Sequence, residues 1–113
     1  MSLAQKLAGR IVAMRYEDLP PEAVHWCKVA VLDTLGVTLA GAAEEAPRIV
    51  EDVLGLQPAE GPCLILGGNR RVRPLDAALL NGTAAHALDF DNTAKNLGGH
   101  VSAVMVPALI NTV

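Results

Sequence analysis

Residues 21–40, PEAVHWCKVAVLDTLGVTLA, decide the fold of this chain. Large apolar side chains recur in this segment at spacings of three and four residues: Val24, Cys27, Val31, Leu35 and Leu39. This period is typical of an α-helix. Proline is tolerated in the first turn of a helix and glycine often follows the last turn, so the helix should begin near Pro21 and end at Gly41. Gly36 costs about 1 kcal/mol relative to alanine inside a helix, and we expect close packing of a neighbouring helix to be the reason for it.

Similar patterns on both sides predict further helices. They are expected to begin at Ser2 as an N-cap, to cover 46–54, to run from Pro74 through Leu88, and to begin at Ser102 as an N-cap, with Pro107 near the first turns. Residues 62–72 contain two short extended runs around Gly67-Gly68-Asn69, which predicts a β-hairpin. An isolated hairpin is only marginally stable, so it should lie on the helices. The predicted fold is mainly α, a helical bundle with one small β-hairpin.

The composition indicates that this bundle has apolar surface to cover. A chain of 113 residues supports a single domain, but 51% of its residues are hydrophobic and its mean hydropathy is +0.33. Residues 101–113 form an apolar run without a helix-ending signal. We therefore expect residues 1–113 to form one incomplete helical domain. It should form a homodimer or higher oligomer, or pack against a complementing chain.

Charge and segment lengths disfavour several classes of function. The net charge is −3, and the basic cluster Arg70-Arg71-Val72-Arg73 is short and poor in aromatic neighbours, so nucleic-acid binding is not expected. No apolar run reaches the roughly 20 residues of a membrane span, and the N-terminal residues lack a signal-peptide layout. We expect no membrane association and a cytoplasmic location. Cys27 and Cys63 are far apart in sequence, which favours free thiols over a disulfide or zinc site.

Residues 81–102 carry the candidate chemistry. Two of the three histidines lie there with carboxylate, amide and hydroxyl groups: His86, Asp89, Asp91, Asn92, Thr93, His100 and Ser102. If the fourth helix continues to Thr93, the side chains of His86, Asp89 and Thr93 share one face. Asp89 and Asp91 then lie near the negative end of the helix dipole, which is unfavourable by about 0.3–1 kcal/mol each and favours a functional role. The alternative is that Asp91 and Asn92 simply form a turn.

The two histidines have different surroundings. His100 precedes the predicted final helix, whose positive end favours a neutral imidazole and attracts a substrate carboxylate, while Gly98-Gly99 allow close approach of the backbone to a ligand. The alternative is a flexible glycine loop with a surface histidine. His86 lies between alanines, where a buried, hydrogen-bonded histidine is the alternative to a functional one. Two histidines and a carboxylate can hold iron or zinc, but without HxxxH or HxH spacing we expect no metal site.

These residues resemble a known family. The segment 81–93 with His100-Val101-Ser102 is similar to the MmgE/PrpD family, which includes 2-methylcitrate dehydratase, cis-aconitate decarboxylase and iminodisuccinate epimerase. Further similarity lies in Asp33-Thr34-Leu35-Gly36, in 71–78 and in 107–109. The resemblance covers nearly the whole chain in order.

The resemblance implies a large helical domain of which this chain is only the beginning, followed by a smaller α+β domain. Members are typically cofactor-free dimers that act on small di- and tricarboxylates, so no cofactor is expected. Their shared chemistry is proton movement next to a carboxylate, with loss of water, loss of CO2 or epimerisation. By analogy, His100 shuttles a proton or binds a carboxylate, Asp89 orients or exchanges a proton, and Thr93 hydrogen-bonds substrate. We also expect four polar residues of the same segment to bind substrate: His86, Asp91, Asn92 and Ser102.

The chain departs from the family pattern in three ways. Asn92 replaces an acid, Val101 replaces a proline, and the later catalytic lysine and second histidine fall outside these residues. The site is thus at best half a site, which leaves two hypotheses. The chain is the N-terminal part of a lyase or isomerase that is inactive alone, or it is a truncated, non-catalytic helical module that oligomerises through exposed apolar faces. Whether the chain is an enzyme stays open.

Overall fold

The computed structural model describes residues 1–55 and 61–111. In these ranges the elements are α1 (Leu3–Ala13), a 3-10 turn (Tyr16–Asp18), α2 (Pro21–Gly41), α3 (Glu45–Leu54), β1 (Cys63–Leu64), β2 (Arg71–Val72), α4 (Pro74–His86) and α5 (Val101–Ile110). The predicted mainly α fold with one hairpin is confirmed. The predicted bounds of the first four helices hold at their N-termini to within a residue.

Three helices form the centre of the bundle. α2 packs against α4 and α5, and α4 packs against α5. Their common core contains one small side chain from each helix, Val37, Ala85 and Ala103. Thr34 and Thr38 of α2 are also fully buried, and each hydroxyl donates a hydrogen bond to the backbone carbonyl four residues earlier, at 2.7 and 2.6 Å. Small and self-satisfied side chains therefore let these helices approach closely.

The large apolar residues of α2 mostly lie on the other side of the helix. Together with residues of the preceding turn, they line an open apolar groove: Tyr16, Leu19, Val24, Cys27, Lys28, Val31, Leu32 and Leu35. α1 has no buried residue, although a complete capping box between Ser2 and Gln5 begins the helix as predicted. The surplus of apolar surface expected from the composition is therefore present on α1 and α2.

α2 also meets the length and composition of a membrane span, and it alone among the described helices does so. Buried core helices and N-terminal signal sequences pass the same test, and the apolar window of α2 is 17% buried although the helix packs against α4 and α5. The expected absence of membrane association stays a prediction.

Within α2, the glycine that lies close to a neighbouring helix is Gly41 and not Gly36. A Cβ at Gly41 would lie 2.1 Å from the carbonyl oxygen of Ala84, whereas a Cβ at Gly36 would meet no described atom within 4 Å. The expectation for Gly36 was therefore wrong. The helix crosses its neighbour at its C-terminal end, where Gly41 is the last residue of α2 rather than a residue beyond it.

The hairpin lies on α4, as predicted. Cys63 pairs with Val72 and Leu64 with Arg71. The fully buried Asn81 of α4 donates from Nδ2 to the carbonyl of Leu64 (3.0 Å) and accepts from the backbone N–H of Leu66 (2.9 Å). One amide side chain thus satisfies a carbonyl of β1 and a backbone N–H two residues beyond it, at the edge of the hairpin.

The two glycines of α2 give a matched test of this packing. Gly36→Ala should raise the free energy of unfolding by about 0.5–1 kcal/mol, because it removes the helix penalty of glycine without a clash. Gly41→Ala should lower it by about 1–3 kcal/mol through overpacking against Ala84. Urea unfolding followed by circular dichroism measures both. A Gly41→Ala variant as stable as the parent would contradict the close approach of α2 and α4.

Candidate functional site

The candidate site forms where α4 ends and α5 begins. His86 is the last residue of α4, and His100 occupies the N-cap position of α5. The loop between them folds back on itself through the backbone hydrogen bond from Ala94 to Gly99 (2.9 Å). The two imidazole rings consequently meet edge to face, with their centroids 4.7 Å apart.

Asp91 is buried between these rings. Its side chain is only 1% exposed, with Oδ1 at 2.9 Å from Nδ1 of His86 and Oδ2 at 3.2 Å from Nδ1 of His100. The contact to His86 is a hydrogen bond. The contact to His100 is short but not aligned as one, so Oδ2 and that Nδ1 are buried atoms without a hydrogen-bond partner among the described residues. A buried carboxylate is costly unless hydrogen-bond donors or positive charges lie near it. Both rings turn Nδ1 towards Asp91.

Asp89 lies on the opposite, exposed side of the two rings. Its Oδ1 is 3.9 Å from Nε2 of His86 and 3.8 Å from Nε2 of His100. Its φ of +54° is the one positive value at a non-glycine residue in the described ranges. Aspartate tolerates this left-handed conformation better than most residues do. Each imidazole is thus placed between one buried and one exposed carboxylate.

α4, which was predicted to run through Leu88, does not continue to Thr93. The helix ends at His86, and the left-handed Asp89 turns the chain away, since its N–H bonds to the carbonyl of His86. Thr93 is exposed in the loop, and its hydroxyl has no hydrogen bond to any described residue. Asp89 therefore approaches the histidines through a turn, and Thr93 does not share a helix face with them.

Asn92 and Ser102 connect the site to the rest of the bundle. The Ser102 hydroxyl donates to Oδ1 of Asn92 (2.8 Å), and Nδ2 of Asn92 donates to Oδ2 of Asp33 on α2 (3.2 Å). Ser102 was predicted to cap α5, but it lies inside the first turn and His100 holds the cap position without a side-chain cap bond. Asp33 was not predicted as part of this region. Its signal in the sequence was an acidic residue in the middle of an apolar helix.

His86 is accessible to solvent, with 51% of its side chain exposed, so the alternative of a buried histidine was wrong. The hydrogen bond to Asp91 raises the pKa of His86 above its ordinary 6.5. Partial desolvation opposes this shift, while the negative charges of Asp91 and Asp89 add to it. His86 therefore holds a proton more readily than an isolated histidine.

A pocket of about 470 Å³ opens between α4 and α5 beside the two imidazoles. Apart from the histidines, its walls consist of small and apolar residues: Ala78, Leu79, Gly82, Ala103 and Val104. Nothing larger than glycine fits at Gly82 without a tight contact, because a Cβ there would lie 3.1 Å from the carbonyl oxygen of Ala103. The pocket gives a small molecule access to the rings.

The fold and this cluster define a helical domain with a candidate acid–base site. The chain belongs to the MmgE/PrpD family, because the model of the MmgE/PrpD N-terminal domain matches residues 5–112. The resemblance read from residues 81–102 is thereby confirmed.

Curated relatives agree with this assignment. The chain is 29% identical over 112 residues to the cis-aconitate decarboxylase-like protein oryM of Aspergillus oryzae. It is 28% identical over 109 residues to the cis-aconitate decarboxylases of Mus musculus and of Homo sapiens. Each match covers 96% of this chain but only 22% of the relative, so the chain spans about a fifth of the length of these relatives. No solved structure matches the chain significantly.

The proton affinity of His86 is testable by titration of its ring protons in NMR spectra. We expect a pKa above 6.5, and Asp91→Asn should lower it because the substitution removes the charge and weakens the hydrogen bond. Asp89→Asn is the matched control, since Asp89 contributes least to the shift, and it should lower the pKa less.

The same shift links the fold to pH. A raised folded-state pKa stabilises the fold fully below pH 6.5, and this stabilisation is lost as the pH rises through the raised value. A pKa of His86 at or below 6.5 in the parent chain would contradict the Asp91 hydrogen bond.

Proposed function

We propose that the chain is the N-terminal part of a cofactor-independent lyase or isomerase that moves a proton next to a carboxylate of a small di- or tricarboxylate. The observation that carries this proposal is the pair of imidazoles, His86 and His100, around the buried carboxylate of Asp91. Family membership supports it. The names of the relatives, cis-aconitate decarboxylases, support loss of CO2 from a tricarboxylate as the reaction.

The arrangement leaves one ring nitrogen of each histidine available for proton transfer. Nδ1 of both rings is turned towards Asp91, so both Nε2 atoms lie on the side of Asp89. An imidazole held in this way accepts a proton at Nε2 when neutral and delivers one when charged. Two rings 4.7 Å apart can offer a donor and an acceptor to the same small substrate.

This chemistry fits the reactions that the family resemblance implies. In decarboxylation, the electron pair left on carbon by CO2 takes up a proton. In dehydration, a proton leaves the carbon next to a carboxylate, and the departing hydroxyl group is protonated to water. In epimerisation, a proton leaves one face of that carbon and another arrives on the opposite face. Each needs a positioned acid or base, the role proposed for His100 with Asp89 as the orienting or exchanging group.

The charge of the cluster does not by itself favour binding of a polyanion. Two carboxylates, Asp89 and Asp91, offset the positive charge that the two histidines carry when protonated. The cluster itself therefore supplies no net positive charge for a di- or tricarboxylate. The chain spans about a fifth of its relatives' length, and the family resemblance implies a lysine and a second histidine beyond these residues. We propose weak substrate binding by this chain and turnover only by the completed site.

The alternative is a non-catalytic helical module that assembles through its apolar faces. α1 without a buried residue and the apolar groove along α2 favour this alternative. The two hypotheses share the prediction of an oligomer, and they differ on whether the histidine cluster binds a ligand.

Binding of cis-aconitate separates the two hypotheses. We expect weak, saturable binding to the full chain by NMR or calorimetry at mildly acidic pH, where the raised pKa of His86 favours its charged form. His100→Ala should abolish it, because this variant removes one of the two proton-carrying rings. His25→Ala is the matched control, since His25 lies on α2 outside the cluster. If His100→Ala binds as the parent does, the assigned half-site is wrong.

Sedimentation velocity tests the expected oligomer. We expect a dimer or larger assembly, because burial of the groove residues removes apolar surface from water at about 25 cal/mol per Å². Leu32→Glu, which places a charge in the groove, should shift the chain towards monomer, whereas Lys6→Glu on the exposed α1 should have a smaller effect. A monodisperse parent monomer would contradict the prediction.

A further inference from the structure

The outer side of the histidine pair has the dimensions of an ion site. One ligand atom from each of His86, Asp89, Asp91 and His100 lies within 4.8 Å of the others. The distances of 3.9 and 3.8 Å from Oδ1 of Asp89 to the two Nε2 atoms are too long for hydrogen bonds. Zinc binds nitrogen and carboxylate oxygen at roughly 2.0–2.2 Å. Two ligands of one ion are then about 3.4 Å apart at a tetrahedral angle and about 4 Å apart at a wide one.

The inner side of the pair supplies what such a site requires. A metal-binding histidine almost always donates its other ring N–H to a carboxylate or carbonyl, which fixes the ring and raises its basicity. Asp91 lies at hydrogen-bonding distance from Nδ1 of both His86 and His100, and its side chain is 1% exposed. One buried carboxylate thus presents both Nε2 atoms towards Asp89.

We propose that Nε2 of His86, Nε2 of His100 and Oδ1 of Asp89 bind one divalent transition-metal ion of the zinc type, with Asp91 as the positioning residue for both rings. Imidazole nitrogens favour zinc, copper, iron and nickel, whereas Mg²⁺ and Ca²⁺ favour sites made of oxygen. The site should therefore select Zn²⁺ over Mg²⁺. Water completes the coordination.

The two unpartnered atoms beneath the site agree with this assignment. Oδ2 of Asp91 and Nδ1 of His100 are buried and have no hydrogen-bond partner in the described residues. A cation at Nε2 makes the ring more positive and its Nδ1–H a stronger donor, which strengthens attraction to the buried carboxylate. The positive charge of the ion would thereby offset part of the free-energy cost of burying the Asp91 carboxylate, although the ion does not contact it.

The sequence spacing did not predict that His86, Asp89 and His100 lie together. His86 and Asp89 are three residues apart, but His100 comes from the start of the next helix. The turn at Asp89 and the folded-back loop bring the three side chains together. The expectation of no metal site was based on the absence of HxxxH or HxH spacing. Such spacing is not needed where a loop brings two distant histidines together.

The metal would compete with the proposed proton transfer. Both use Nε2 of the same two rings, so an occupied site cannot accept a proton there. Metal binding itself does not depend on the proposed function, because it needs neither a substrate nor the rest of a longer protein.

The test is a titration of the full chain with Zn²⁺ near neutral pH, followed by calorimetry. We expect one saturable site, no matching signal with Mg²⁺, and loss of the site in His86→Ala and His100→Ala. Asp89→Asn keeps the size and the left-handed preference of the residue, and it should weaken binding because it removes the charged ligand. Asp91→Asn should weaken binding about 10–100-fold, the usual effect of removing a partner behind the ligands.

Two control variants separate this site from adventitious binding. His25→Ala and Cys27→Ser change a histidine and an exposed thiol outside the cluster, and both should bind as the parent does. Circular dichroism confirms that each variant is folded. Long-range ¹H–¹⁵N spectra of the rings should show Zn²⁺ at Nε2 and a retained proton at Nδ1 of His86 and His100.

The proposal is overturned by absence of saturable Zn²⁺ binding in the folded parent. It is also overturned if Zn²⁺ binds through Nδ1 of the rings. The same holds if Zn²⁺ binding is lost in Cys27→Ser or His25→Ala but not weakened in Asp89→Asn. Cis-aconitate binding is measured separately with a chelator present. A chain that binds zinc but no tricarboxylate would refute the proposed half-site alone, and the reverse result would refute the metal site alone.

Discussion

The carboxylate of Asp91 has almost no contact with solvent, and the site depends on how its charge is compensated. Burial of an ionised carboxylate is costly unless donors surround it. Here His86 at the end of one helix forms a hydrogen bond to the carboxylate, and His100 at the start of another places Nδ1 3.2 Å from it. The loop between them must fold back to bring both rings to the same carboxylate. The positive φ of Asp89 is part of that path, so a second acid reaches the outer side of the rings.

Close packing of small residues makes this convergence possible. Gly41 of α2 touches the backbone of α4 at Ala84, and the core shared with α5 consists of Val37, Ala85 and Ala103. The small side chains of this shared core let α4 and α5 pack closely, which places the end of α4 near the start of α5. The larger apolar residues of α1 and α2 lie outside this core. Their exposure accords with a chain that spans about a fifth of its relatives' length.

The site has two faces with different chemistry. Towards the interior, Asp91 fixes the orientation of both imidazoles. Towards solvent, the same rings present Nε2 beside Asp89. Both rings also line a pocket of about 470 Å³ between α4 and α5. A proton and a transition-metal ion are alternative occupants of those nitrogens. The choice between them depends on pH and on metal concentration, because both compete for the same lone pairs.

The helices, the hairpin around Gly67-Gly68-Asn69 and the family could be predicted from the amino-acid sequence, because they depend on local periodicity, turn residues and motif order. It also drew attention to residues 86–102. Three features became evident only from the packing of the helices: α4 ends at His86, Asp91 is buried, and Gly41 rather than Gly36 contacts another helix. Local spacing encodes hydrogen bonds within one helix. Burial and ring-to-carboxylate distances depend on which surfaces of different helices meet, and no local pattern records that.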